Sequence, residues 1–249
     1  MIAITRDVSP SIERAEVTHI ERVPIDYERA RTQHEQYRAL LSALGCEVRS
    51  LPADAAFPDC VFIEDTAIVL DDLAVITRPG AESRRGEIAL VAEALAPLRP
   101  LVRIEAPGTI DGGDVLVLDD RIYVGRTSRS NDAARDQLRR LTGREVIAVD
   151  VHGALHLKTA ITRVSHDTLL VNRAWVDVGP FADWKLIDVD PDEPFAANAV
   201  LIGDIVIHAT AFPRTRARLE AHGLHVRTVD ADELAKAEGG VTCCSLLLR

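Results

Sequence analysis

The sequence predicts an α/β propeller, a ring of five pseudo-repeated ββαβ units closed through both termini. Three observations carry this expectation. First, a short apolar strand, a two-residue turn and a second apolar strand recur four times, as AIVL-DD-LAVITR, VLVL-DD-RIYVG, ITRVS-HD-TLLVN and AVLI-GD-IVIHA. Asp and Gly at such turns favour tight hairpins. Second, segments with helical periodicity lie between the hairpins and lead into further short strands. Third, the two ends of the chain hold the pieces of a fifth unit. A closed ring of repeats buries one sheet face per unit without leaving a long edge. The turn residues Asp72, Asp120, Asp167 and Asp204 are 48, 47 and 37 positions apart. That irregular spacing keeps an open α/β sandwich in play as the alternative.

In chain order, IAIT is a strand, Tyr27 to Leu44 a long helix and EVRSLP a second strand. The first hairpin turns at Asp71-Asp72. Ser83 to Leu98 follows as a helix, with Ile88, Leu90, Val91, Ala94 and Leu95 on its apolar stripe, and then the strand LVRIE. The second hairpin turns at Asp119-Asp120. It precedes a helix over Asn131 to Leu141, striped by Ala133, Ala134, Leu138 and Leu141, and the strand EVIAVDV. The third turns at His166-Asp167 and leads to WKLIDVD. The fourth turns at Gly203-Asp204. Its helix, Pro213 to Leu224, opens with proline and ends near Gly223, the expected asymmetry, before the strand HVRTVDA. A strand over Thr242 to Leu248 would pair with IAIT and close the ring.

The 249 residues suffice to bury a sizeable core, and no Pro/Gly/Ser tract or charge block marks a linker, so residues 1–249 are expected to form a single domain. Acidic residues outnumber basic ones 39 to 29, for a net charge of −10. That balance argues against a nucleic-acid partner and weakly favours cationic small molecules. No run approaches the roughly 18 apolar residues of a membrane span. The longest apolar candidate, Ile88 to Leu98, is broken by Glu93. Arg6 and Asp7 stand where a signal peptide needs its apolar run. Four cysteines in a chain of this size make no disulfide framework, so a cytoplasmic protein with reduced thiols is expected.

Five places can carry chemistry. Cys243 sits in GGVTCCSLLL, after two glycines that let the backbone approach a ligand. On a strand, Cys243 and Cys244 would face opposite sides, and either could equally be a small core residue. His156, in ALHLKTAI, points away from the face of Leu155 and Leu157; a lone strand histidine is commonly a satisfied polar group. Paired with a cysteine it supplies what a thiol nucleophile needs. In GTIDGGDV, Asp111 and Asp114 bracket two glycines before a strand, as a plain turn or as carboxylates aimed into a cavity. The run has neither the spacing of a calcium loop nor that of a dinucleotide-binding turn. FPDCVFIEDTAIV gathers Asp59, Glu64 and Asp65, acids able to hold a cationic group through charge-assisted hydrogen bonds. Arg84 and Arg85, in TRPGAESRRGE, fall at a helix start, where arginine opposes the helix dipole and an anion-binding duty is favoured. Arg129 occupies the equivalent place in the next unit. A substrate with a delocalised cation at one end and a carboxylate at the other would use all of these groups.

These pieces resemble the dimethylarginine dimethylaminohydrolase family of the guanidine-modifying (pentein) superfamily. FPDCVFIEDTA, ITRPGAESRRGE, the DGGDV run, LHLKTA, the AAN of Ala196-Ala197-Asn198 and the terminal TCCS occur in family order over nearly the whole chain. The resemblance implies the five-bladed pentein propeller and hydrolysis of N-methylated arginine to citrulline and an alkylamine. It implies Cys243 as nucleophile and His156 as general acid and base. Asp111 and Asp65 would bind the guanidinium nitrogens, Asp59 and Glu64 would shape the polar end of the pocket, and Arg84 and Arg129 would hold the substrate carboxylate. Backbone carbonyls near Val17 and Ala237 would meet the amino group, with Val17 in an N-terminal lid. No cofactor and no metal are implied.

Rival readings keep the mechanism on arginine, another guanidino compound or a ureido acid, or make the chain a non-catalytic propeller that binds a partner. Cys244 in place of Cys243, and His152 in place of His156, are the local alternatives. The expected partner is a small-molecule guanidino substrate, with no membrane and no nucleic acid; a homodimer is left open.

Overall fold

The computed structural model describes residues 1–249 and contains five separate three-stranded sheets. In the first, β1 (Ile2–Arg6) runs antiparallel to the C-terminal strand Leu246–Leu248 and parallel to β2 (Glu47–Leu51), which it reaches through α1 (Tyr27–Ala43). Asp26 caps α1 by accepting the Arg29 N–H. The ring therefore closes through both ends of the chain, as the termini predicted.

The second sheet joins β3 (Ala67–Val69) to β4 (Ala74–Ile76) across the Asp71-Asp72 turn, then passes through α2 (Ile88–Leu95) to β5 (Leu101–Arg103), parallel to β4. The third repeats this with β6 (Val115–Leu118), β7 (Arg121–Arg126), α3 (Asp132–Thr142) and β8 (Glu145–Asp150). After the short α4 (Leu157–Ala160), the fourth holds β9 (Ile161–Arg163), β10 (Thr168–Val171) and β11 (Lys185–Asp188). The fifth holds β12 (Val200–Ile202), β13 (Ile205–Ala209), α5 (Pro213–Ala221) and β14 (His225–Val229). The short α6 (Asp232–Ala235) then leads to β15 (Leu246–Leu248). Every sheet thus has one antiparallel pair, a short-turn hairpin in all but the first, where the chain ends meet, and one parallel pair, which needs a longer crossover.

The structure corrects five expectations. The third hairpin sets Arg163 opposite Leu169, so it turns through Ser165, His166 and Asp167, three residues instead of His166-Asp167 alone. The fourth unit has no crossover helix. Between β10 and β11 only Gly179–Phe181 forms a single 3₁₀ turn. Phe181 is wholly buried and stacks on Tyr123 at 4.7 Å, and Trp175 and Trp184 pack beside it, so aromatic side chains cover the sheet face that a helix covers elsewhere. The helix expected from Ser83 begins as a 3₁₀ segment, Glu82–Glu87, before α2. His156 is not on a strand but sits immediately before α4, at its N-cap position. Cys243 lies in a 3₁₀ turn, Thr242–Cys244, and the last strand begins only at Leu246, so strand alternation does not separate the two adjacent thiols.

The innermost strands β3, β6, β9, β12 and β15 line a central cavity of about 520 Å³ that includes Ala67, Val115, Thr162, Val200 and Leu246. Around this axis the chain turns inward between sheets, and those turns carry the candidate residues. No helix is long and apolar enough to cross a membrane.

Candidate active site

A narrow pocket lies on the axis, on the other side of these turns from the cavity. It is lined by Glu16, Asp59, Phe62, Asp65, Arg84, Arg129, Leu155, His156, Ala237, Glu238, Gly239 and Cys243. Of the predicted residues, Cys243, His156, Asp59, Asp65, Arg84, Arg129 and Ala237 meet there. Val17 is not on the wall, although its neighbours are tied to it: the Glu16 N–H donates to Asp59, at 3.1 and 3.2 Å, and Arg129 Nη2 donates to Thr18 Oγ1 at 3.1 Å. Asp111 and Glu64 stand behind the wall.

His156 is buried, with Nε2 3.1 Å from Asp111 Oδ2 and Nδ1 3.9 Å from Asp65 Oδ1. Burial opposes its charge. The Asp65 carboxylate, the hydrogen bond to Asp111 and the charge of Asp114 outweigh that and raise its pKa to about 9. Asp111 is fully buried; its other oxygen accepts the Gly80 N–H at 2.8 Å. It thus hydrogen-bonds the imidazole from behind and does not itself line the pocket. Asp114 closes the same turn, accepting from Thr127 and Ser130 hydroxyls at 2.6 and 2.5 Å and from the Leu157 N–H at 3.1 Å. The two glycines between the aspartates are there for close approach. A Cβ on Gly112 would stand 2.0 Å from the Glu64 carbonyl oxygen, and one on Gly113 would stand 2.7 Å from His156 Nδ1.

Asp65 is held on three sides. Burial would raise its pKa, but His156, the Arg84 guanidinium at 2.5 Å and the Gly113 N–H bring it down to about 2. Arg84 itself is buried and nearly spent. It donates to Asp65, to both oxygens of Glu87 at 3.1 and 2.9 Å, and to the carbonyls of Asp59 and Phe62. Its five N–H groups leave one on Nη1 without a protein acceptor. Arg129 differs, because only Nη2 of its guanidinium is engaged. Arg85 is partly exposed and pairs with Glu82. Asp59, mostly desolvated and only partly compensated by Arg84, rises to about 6.

Cys243 is half-buried, and its Sγ accepts the Gly240 N–H at 3.4 Å. Burial first, then the Glu64 and Asp65 carboxylates, push its thiol up to about 12. The sulfur is therefore a neutral thiol in a pocket whose wall also holds a charged imidazolium. Cys244 is buried, donates to the Gly240 carbonyl at 3.5 Å and lies outside the pocket wall. His152 is exposed and equally outside it. Asp65, Asp111 and His156 bring three donor atoms within 4.8 Å of one another. A cation there would displace hydrogen bonds that each already makes and would face the Arg84 guanidinium.

Several residues of the site escaped sequence reasoning. Glu238 accepts the Thr18 and His19 N–H groups at 2.5 and 2.8 Å from a backbone with φ of +58°, and so clasps the N-terminal segment over the pocket. Its one signal was its place immediately before Gly239-Gly240. Glu87, the second partner of Arg84, was legible as an i,i+3 pair. Lys158 and Asn198 lie in quoted motifs, but nothing in their spacing gave them a partner.

A model of the family described as N,N dimethylarginine dimethylhydrolase, eukaryotic, matches residues 15–177. The N(G),N(G)-dimethylarginine dimethylaminohydrolase of Streptomyces coelicolor is 42% identical over 99% of this chain and 96% of its own. The protein of that name from Pseudomonas aeruginosa is 38% identical over 89% of each chain. A structure of the Pseudomonas aeruginosa enzyme, a cysteine-to-serine mutant complexed with citrulline, superimposes with a TM-score of 0.93 over 98% of this chain and 97% of that one, at 34% identity. With five three-stranded sheets around an axis that brings a cysteine, a histidine and paired carboxylates together, the chain belongs to the dimethylarginine dimethylaminohydrolase family.

Proposed function

We propose that this protein hydrolyses N-methylated arginine to citrulline and an alkylamine through a covalent intermediate on Cys243. The observation that carries the reading is the pairing of a neutral, half-buried thiol with a buried imidazolium in one carboxylate-walled pocket.

The protonation states suit a cationic substrate. Asp65 accepts guanidinium N–H groups, and Asp59 and the carbonyls near Val17 and Ala237 take the amino group. Arg129, with most of its guanidinium uncommitted, holds the substrate carboxylate, while Arg84 keeps Asp65 ionised and in place. A cation against the sulfur stabilises the thiolate, which attacks the central guanidino carbon. His156, already protonated, gives its proton to the alkylamine as that C–N bond breaks, leaving a thiouronium on the sulfur. The neutral imidazole then takes a proton from water as its oxygen attacks the same carbon. The C–S bond breaks, the protonated urea returns a proton to the sulfur, and citrulline leaves. No step calls on a cofactor.

A substrate panel tests this. Dimethylarginine, monomethylarginine, arginine, agmatine and citrulline are incubated with the protein, and mass spectrometry follows the ureido product and the released amine. Citrulline from the methylated substrates, lost in Cys243→Ser, is the expected result. Turnover of arginine or agmatine alone would keep the mechanism and move the substrate. No turnover by folded protein would overturn the reading.

A further inference from the structure

The reaction as written leaves one proton without a destination. When the cation binds, Cys243 must lose its hydrogen. His156 already carries its full complement, and Asp65 is occupied by Arg84 and the Gly113 N–H. The substrate fills the mouth, and Glu238 clasps the segment above it.

Below the sulfur the situation differs. Thr242 Oγ1 lies 3.9 Å from Cys243 Sγ, donates to Glu64 Oε2 at 2.8 Å, and accepts from Asn198 Nδ2 at 2.9 Å. A threonine hydroxyl has one hydrogen to give and two lone pairs to fill. Its hydrogen goes to Glu64 and one lone pair to Asn198, so the lone pair that remains is the acceptor for the thiol. Asn198 fixes this orientation, because its Oδ1 also accepts the Thr242 N–H at 3.0 Å and its Nδ2 reaches the Lys158 carbonyl at 3.1 Å. On the far side, Lys158 Nζ donates to Glu64 Oε1 at 2.5 Å. Glu64, Lys158 and Thr242 all line the central cavity, whose rim carries the exposed residues Met1, Asp71, Asp119 and Arg249. A line of hydrogen-bonding groups thus runs from the reactive sulfur through Thr242 to Glu64 and Lys158 on the wall of the central cavity, on the face opposite the mouth.

Resting on the function proposed above, we propose that the thiol proton of Cys243 leaves through the floor of the site, by way of Thr242 and Glu64, into the central channel. The S–H bond breaks as its hydrogen passes to Thr242 Oγ1, whose own hydrogen passes to Glu64 Oε2. Glu64 then gives a proton to water in the channel and regains its ion pair with Lys158. This makes Thr242 a catalytic residue, since it touches the reacting sulfur, and Glu64 the relay behind it. It also explains why Glu64 faces away from the pocket that the family resemblance assigns it to.

The test reads thiolate formation without turnover. The acetamidine derivative of L-ornithine carries the same delocalised cation but has a methyl group where the leaving amine would be. Mixed with this probe in a stopped-flow instrument, the wild-type protein develops ultraviolet thiolate absorbance. Thr242→Val and Glu64→Gln are expected to bind the probe but form thiolate at least about tenfold more slowly, the low end of what a positioned proton-transfer group contributes. Their kcat for dimethylarginine falls while KM changes little, and Thr242→Ser restores both rates. If Thr242→Val does not fold, Glu64→Gln with Thr242→Ser decides the matter. Thiolate formation at the wild-type rate in Glu64→Gln overturns the proposal, whatever Thr242→Val does. Failure of the wild-type protein to make citrulline would instead sink the functional reading, which the probe experiment does not require.

Discussion

The two ends of the propeller axis use the same side-chain types to opposite effect. At the pocket end, Arg84, Asp65, Glu87, His156 and Asp111 are all buried and interlocked, and each group's charge state is set by its neighbours. At the channel end, Arg144 pairs with Asp72 and Arg163 with Asp119, at 2.9 and 3.4 Å, with the acids largely exposed. Water screens the second set, so those pairs contribute little. Desolvation is what turns the first set into chemistry. It holds the Cys243 thiol neutral, and three carboxylates outweigh it to keep His156 charged. An arginine–carboxylate pair says little until its burial is known.

Substitutions at the two ends sharpen that contrast. The largest effect is expected from the adjacent thiols. Cys243→Ser should cost at least about 10³-fold in kcat, as loss of a nucleophile does. Cys244→Ser should leave turnover within a few-fold and affect mainly stability; equal losses in both would break the assignment. Next, Arg84→Ala strands two buried carboxylates and should destabilise the fold by about 3–5 kcal/mol in denaturant titration, whereas Arg144→Ala should cost no more than about 1 kcal/mol. Comparable values for the two would show that burial does not separate the ends.

Asp111→Asn removes the charged partner of His156 and should lower kcat by about 10²-fold, with the alkaline limb of the pH profile moving down. A fall in kcat with that limb unmoved would mean that Asp111 acts otherwise than through the imidazole. In the wild-type protein, kcat/KM should rise through pH of about 6 as Asp59 ionises and fall through about 9 as His156 loses its proton. The stability that His156 gains from its carboxylates has the same sign. It is fully present below the ordinary imidazole value of 6.5 and is lost as pH rises through about 9. A profile still rising above pH 9 would contradict the charged imidazole.

Legibility in the sequence divided along physical lines. The four hairpins were readable because short turns and strand alternation are local signals, although the third turns through three residues; the closure through the termini followed from counting the strands left over at the two ends. The crossover of the fourth unit was not, because Trp175, Phe181 and Trp184 replace a helix by packing, which leaves no periodicity. In the site, the residue types and the motifs picked out side chains that meet around one pocket, but not their directions. Asp111 and Asp65 read alike as carboxylates, yet one holds the imidazole and the other faces the pocket. Glu64 and Asp65 are neighbours that point to opposite ends of the axis, a difference made by the 3₁₀ turn Ile63–Thr66. Arg84 and Arg129 looked equivalent, and only the presence of Glu87 and Asp65 around the first tells them apart.

The central claim is a covalent intermediate on one specific sulfur. Acid quenching of the protein during turnover of dimethylarginine, followed by peptide mass mapping, tests it most directly. The account predicts a thiouronium adduct on Cys243 at early times that disappears as citrulline accumulates and never forms in Cys243→Ser. An adduct on Cys244, or citrulline formed by the Cys243→Ser protein at the wild-type rate, would contradict it.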